Sequence, residues 1–279
     1  MRSFTISVLA LGAALCGCTD VFLQPDRALH LDPDRVGAKW ERVRFSSADG
    51  TALAGLWFPA AKSPAKGVAV QFHGNGENMT SHFLYVYWLA LEGWDVLAFD
   101  YRGYGDSGGE KSLRGAAADG AAALAYARTR APGLPLVVIG QSLGGALALA
   151  ALDRDGGDGL AALVLDSTFS SYRRVAQGKL AGLWPTWPLQ WPLSRLLISD
   201  RLAPDRLVVR RKAVPLLMLH ARGDPVVPYA EGARLYALAP GPKEFWDVPG
   251  TGHTEAFGRL GAEFRPRLLG FLENASVRR

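Results

Sequence analysis

Short apolar runs alternate with small-residue or amphipathic stretches along most of this chain. The runs at 67–72, 94–99, 136–139, 160–165, 214–219 and 244–248 are bounded by turn residues and fit buried strands. Ahead of them, 41–45 and 52–58 read as an antiparallel pair joined by the Ala48-Asp49-Gly50 turn. Between the runs, helices are predicted at 82–91, 112–130, 145–152, 229–238 and 255–272. The second opens on Ser112, a capping residue, and ends before Pro132. Strands alternating with helices predict an α/β fold with a mainly parallel sheet. In such a sheet, sites assemble on the loops at the carboxyl ends of the strands.

Composition narrows the picture without redirecting it. At 279 residues and 49% hydrophobic content, the chain is long enough to bury one sizeable core. Its formal net charge is +5, but the basic residues read as scattered and no nucleic-acid motif appears, so no nucleic-acid partner is expected. A mildly basic surface also suits anionic lipid. At the N-terminus, Met1-Arg2 precedes an apolar stretch at 4–15, too short to span a bilayer. Leu15-Cys16-Gly17-Cys18 resembles a bacterial lipobox. That resemblance implies a lipoprotein signal peptide at 1–17, acylation of Cys18, and a Pro/Asp-containing tether at 18–39. It makes the cell envelope the expected location, and Thr19 in place of aspartate favours the outer membrane in a proteobacterium. An ordinary secretory signal or an uncleaved anchor are the alternatives.

The candidate chemistry centres on Gly140-Gln141-Ser142-Leu143-Gly144, between the strand at 136–139 and the helix at 145–152. This is the pattern of a nucleophile elbow, a sharp strand-to-helix turn whose crowding demands glycine two positions either side of the serine. Downstream come Asp224, in Gly223-Asp224-Pro225-Val226-Val227-Pro228, and His253, in Gly250-Thr251-Gly252-His253-Thr254. Each follows an apolar run. Ser, Asp, His is the chain order of an α/β-hydrolase.

On these residues the chain resembles the serine aminopeptidase-like and lysophospholipase or thioesterase-like branches of the α/β-hydrolases, over about 43–272. The resemblance implies a mainly parallel sheet of about eight strands flanked by helices. It also implies a hydrolase domain at 40–279, with a small cap inserted at about 167–212 between the sixth and seventh strands. Ser142 is then the nucleophile, His253 the base and Asp224 its orienting acid, with Asp166 as the rival acid. The loop His73-Gly74-Asn75-Gly76 and the residue after the serine imply an oxyanion hole from the backbone amides of Asn75 and Leu143, with Gly74 or Gly76 as alternatives to Asn75. His73 reads as structural, and Asp100-Tyr101-Arg102-Gly103-Tyr104-Gly105-Asp106-Ser107-Gly108 as scaffold.

A serine hydroxyl needs a base to attack an acyl carbon, and this chemistry requires neither metal nor cofactor. A serine hydrolase of esters or thioesters is therefore expected, working through an acyl-enzyme on small or lipid-like acyl substrates. A serine aminopeptidase and a non-catalytic hydrolase-like binding protein are the alternatives. The cap holds Trp184, Trp187 and Trp191 among prolines and leucines. They either pack the cap on the core, line an acyl pocket, or touch a membrane interface.

Overall fold

The computed structural model describes residues 18–182, 187–211 and 213–277. Its strands are β1 (Glu41–Ser46), β2 (Ala52–Phe58), β3 (Val68–Phe72), β4 (Asp95–Phe99), β5 (Leu136–Gln141), β6 (Leu160–Asp166), β7 (Leu216–Ala221) and β8 (Lys243–Val248). They form one sheet in the order β1-β2-β4-β3-β5-β6-β7-β8. β2 runs antiparallel to both β1 and β4, and every other pairing is parallel. Every residue of β3, β5, β6 and β7 is buried, which is why these segments read as unbroken apolar runs rather than alternating ones. Their side chains divide by pleat between two cores: Val68, Val70 and Phe72 point into one, Ala69 into the other.

The helices are α1 (Met79–His82), α2 (Trp88–Leu91), α3 (Leu113–Arg130), α4 (Leu143–Asp155), α5 (Tyr172–Ala181), α6 (Gln190–Leu197), α7 (Pro204–Val208), α8 (Tyr229–Leu238) and α9 (Gly261–Val277). α3 begins as predicted, with Ser112 Oγ accepting the Gly115 amide. The continuous helix predicted at 82–91 is instead α1, a 3-10 turn at Phe83–Tyr85, and α2. A tertiary hydrogen bond takes one of its carbonyls: Gln71 Nε2 donates to the His82 carbonyl at 2.7 Å, and the Val86 amide turns to the Phe83 carbonyl. The last helix starts at Gly261 and not near Glu255, because the chain first turns Phe257 fully into the core.

The segment expected as a tether, 18–39, is laid along the domain. Leu23 is fully buried, Thr19 Oγ1 accepts the Ser199 amide, Asp20 Oδ1 accepts the Leu113 amide, and Lys111 Nζ donates to the Leu23 carbonyl. Of the cap tryptophans, Trp184 lies outside the described residues. Trp187 and Trp191 are 61% and 54% exposed, so packing against the core is not what holds them.

Candidate active site

Ser142 stands between β5 and α4 with φ 53° and ψ −119°, a conformation that costs a non-glycine residue about 1–3 kcal/mol and survives only where its surroundings impose it. Here they do. The Ser142 amide donates to the Asp166 carbonyl at 2.8 Å, and the Gly145 amide to the Ser142 carbonyl at 3.1 Å. A side chain on Gly144 would overlap the carbonyls of Phe72 and His73, and one on Gly140 would meet Gly145 Cα at 2.5 Å. The two glycines are therefore a steric condition for bringing the end of β5 against the end of β3.

Asp224 and His253 lie on the loops after β7 and β8, and the fold brings their side chains together: His253 Nδ1 is 2.7 Å from Asp224 Oδ2. The other carboxylate oxygen accepts the amides of Val226 and Val227 at 2.8 and 2.9 Å. Burial alone would raise the Asp224 carboxyl, but the hydrogen bonds from His253 and these amides outweigh it and hold the group below its ordinary value. Asp224 is thus a carboxylate at neutral pH, with one oxygen fixed by backbone and the other turned to the imidazole. His253 keeps 19% side-chain exposure, enough to meet a substrate or water.

Asp166, the rival acid, does not hold the histidine. Its carboxyl is buried at the end of β6, where desolvation pushes it up to about 7, and its Oδ1 accepts the Ser167 hydroxyl at 3.1 Å. Its main-chain carbonyl is what serves Ser142. The remaining histidines of this region are also committed elsewhere. His220 Nε2 bonds the Val227 carbonyl at 2.9 Å, and burial lowers the ring's pKa. His73 is fully buried with Nδ1 on the Gly74 carbonyl, and burial drives it down to about 3. Both are neutral rings that brace loops.

The β3 loop reaches the elbow, since a Cβ on Gly74 would lie 3.8 Å from Ser142 Cβ. Asn75 turns its side chain away: Oδ1 accepts from the Gln24 amide at 2.8 Å and the Tyr104 hydroxyl at 3.1 Å. The turn after β4 behaves as scaffold. Ser107 Oγ donates to the Asp100 carbonyl, Arg102 spans Asp119 and Asp49, and Asp106 pairs with Arg42.

A cavity of about 580 Å³ opens at Ser142, Leu143 and Asn75. Leu180 of α5 and Leu193 and Leu197 of α6 wall it on the cap side, and among the described residues Lys179 is the one charged residue on its lining. Val21, Phe22 and Gln24 close another side, a contribution that sequence reasoning missed. The apolar run Val21-Phe22-Leu23 was the available signal. Ser167 was missed too. At φ 54° it joins Asp166 to the histidine loop, its Oγ accepting the Thr254 amide at 3.3 Å. Among the described residues, no group of three or more His, Cys, Asp or Glu is placed to hold a metal ion.

Comparison with known proteins adds to this geometry. The family described as serine aminopeptidase, S33, matches residues 63–213. The YfhR protein of Salmonella typhi is 35% identical over 271 residues, covering 92% of this chain and 88% of its own. The lysophosphatidylserine lipase ABHD12 of Macaca fascicularis is 31% identical over 200 residues, 69% of this chain and 50% of that protein. Among solved structures, the Pyrococcus furiosus esterase Pf2001 superposes with a TM-score of 0.73 at 22% identity, covering 91% of this chain and 98% of that one; at this identity the likeness speaks for the fold. With that family matched over more than half its length, and the Salmonella relative over nearly all of it, the chain belongs to the serine aminopeptidase S33 family of the α/β-hydrolase superfamily.

Proposed function

We propose that the protein hydrolyses carboxylic esters or thioesters of lipid-like acyl groups, with Ser142 as nucleophile. The observation that carries this is the 2.7 Å contact of His253 Nδ1 with Asp224, on the loops after β7 and β8, together with a mostly apolar cavity lined by Ser142 and by Val226 and Val227 of the Asp224 loop. With Nδ1–H held by a carboxylate, the imidazole presents Nε2 as its basic nitrogen. Nε2 takes the Ser142 hydroxyl proton as Oγ attacks the acyl carbon, and the carbonyl oxygen gains the negative charge. The backbone amides of Leu143 and Asn75 receive that oxyanion. The protonated histidine gives its proton to the departing alcohol or thiol. Water, deprotonated by the same nitrogen, then cleaves the acyl-enzyme to the acid and frees Ser142.

Apolar walls from Phe169, Leu193 and Leu197 suit an acyl chain, and the lipase relative at 31% identity acts, by its name, on a lysophospholipid. A peptidase reading has the family's name behind it. It needs an acid on the cavity wall to hold a substrate ammonium group, and Asp200 and Asp205 of the cap are not among the lining residues. Asp200 is spent on the Ser171 hydroxyl and the Arg173 amide.

In the same reading, Cys18 carries the lipid that the lipobox-like sequence implies, which puts the enzyme in the cell envelope. Residues 1–17 lie outside the described residues, so the sequence is the support for this step. A series of p-nitrophenyl esters of rising chain length, run beside aminoacyl-p-nitroanilides, tests the reaction class. Ester turnover that rises with acyl length is expected, and turnover confined to the anilides would overturn the reading. Mass spectrometry of the mature N-terminus tests the lipid, with an acylated Cys18 expected.

A further inference from the structure

The positive charge of this protein is concentrated in its cap. Residues 167–212 contain nine basic and two acidic residues, a net of +7 against +5 for the whole chain, so the remainder is slightly acidic. Among the described residues, the same insertion carries the most exposed aromatic side chains. α6 is apolar on two faces: Leu193 and Leu197 line the cavity, while Trp191 and Leu196 project outward at 54% and 57% exposure. Trp187 and Leu189, in the 3-10 turn before α6, are also exposed, and Arg195 lies 5.3 Å over the Trp191 ring.

The N-terminal turn at Cys18–Phe22 adjoins this face. Thr19 is bonded to Ser199 just past α6, Phe22 lines the cavity, and Val21 is 62% exposed. On the other side of the turn, Arg114, Arg154 and Arg201 border a second cavity of about 510 Å³. Asp20 lines it as well, with its Oδ1 on the Leu113 amide. Among the described residues, neither these three arginines nor Arg195 and Lys179 have a carboxylate partner. Asp200, one of the two cap acids, faces inward onto Ser171 and Arg173.

From this we infer that the cap and the adjoining N-terminal turn form a docking face for an anionic phospholipid surface. Tryptophan and leucine enter the interface, and the arginines meet lipid phosphates. Exposed aromatics ringed by unpaired cations match the chemistry of a bilayer interface, apolar below and anionic at the headgroups. The apolar stretch at 4–15 lies just ahead of Cys18, so an acylated Cys18 or an uncleaved anchor would bring this face to a membrane. The cavity wall formed by Leu193 and Leu197 is the inner side of the helix that docks. An acyl chain therefore has a short path from bilayer to Ser142. This last consequence rests on the hydrolase reading; docking itself does not.

The test uses the full chain with Cys18→Ser, which removes the acyl attachment. It is floated with vesicles of phosphatidylcholine alone, or of equal parts phosphatidylcholine and phosphatidylglycerol. Several-fold stronger partitioning onto the anionic vesicles is expected, weakening with added salt. Trp187→Ala/Trp191→Ala should lower it at least about tenfold, and Arg195→Glu/Arg201→Glu should remove the anionic preference, each cation being worth roughly fivefold. Hydrolysis of soluble p-nitrophenyl butyrate, measured on the same samples, should be unchanged in both pairs. Equal binding to both vesicles, or unaltered binding by the variants, would overturn the inference. So would a patch covered by a second copy, seen as a dimer without lipid binding. Lack of esterase activity alongside intact anionic binding would sink the hydrolase reading and leave the docking face standing.

Discussion

The cavity has two unlike ends. At the serine end almost nothing is free to move: Gly140 and Gly144 have no room for a side chain, Ser142 is held in a costly conformation by the Asp166 carbonyl, and Asp224 has both oxygens engaged. Beyond the cap end, on the outer face of its wall, Trp187, Leu189, Trp191 and Leu196 stand half or more exposed without a core to join. Over-determined geometry is what a transition state needs, because donors and base must already be aimed when charge appears. An adaptable, greasy face suits a substrate or surface that varies. On the proposed reading, the contrast divides the molecule into a part that fixes the reaction and a part that chooses what reaches it.

Substitutions can break that division, and the largest effect should come from the serine end. Ser142→Ala is expected to lower kcat for p-nitrophenyl butyrate by on the order of 10⁴–10⁶ with folding intact by circular dichroism. Asp224→Asn should cost about 10⁴, since the neutral amide no longer favours the right tautomer of His253. Asp166→Asn should stay within roughly tenfold of the parent, because its carbonyl and not its carboxyl touches the elbow. Equal losses at the two aspartates would erase the distinction drawn between them.

Smaller effects sharpen the same comparison through stability. Leu23→Ala removes a fully buried side chain and should cost about 2–5 kcal/mol in urea unfolding, whereas Trp187→Ala should stay within about 0.5 kcal/mol. The first value measures whether the N-terminal segment belongs to the fold. Protonation gives a further handle. Burial raises the Asp166 carboxyl from 3.8 to about 7, so between these values the folded chain keeps a proton that the unfolded chain releases. Stability therefore falls as pH rises across that window, and Asp166→Asn should flatten part of the slope. Asp100, raised to about 7 mainly by burial, contributes the same sign and keeps its share in that variant.

What could be read from the chain divides along similar lines. Ser142, Asp224 and His253 each sit at the end of an apolar run, so local pattern alone put them on strand-end loops, and the sheet then brought Asp224 and His253 into contact. Asn75 was legible as a loop position, although its side-chain bonds to Gln24 and Tyr104 were not. Those bonds, like the burial of Leu23, join residues far apart in sequence. The proline and aspartates around Leu23 look like a linker until the groove that receives it exists. The break between α1 and α2 was hidden for the same reason: Gln71, which takes the His82 carbonyl, lies on β3. The cap's charge was present in the sequence all along, but it stands out only once 167–212 is seen as one structural unit.

The central claim is that Ser142 is an activated nucleophile and not merely a strained turn residue. Treating the protein with a fluorophosphonate and mapping the adduct by peptide mass spectrometry tests it directly. One stoichiometric label on the peptide containing Ser142 is predicted, abolished by Ser142→Ala and slowed strongly by His253→Ala. A folded protein that takes up no label, or takes it up on another serine, would contradict the account.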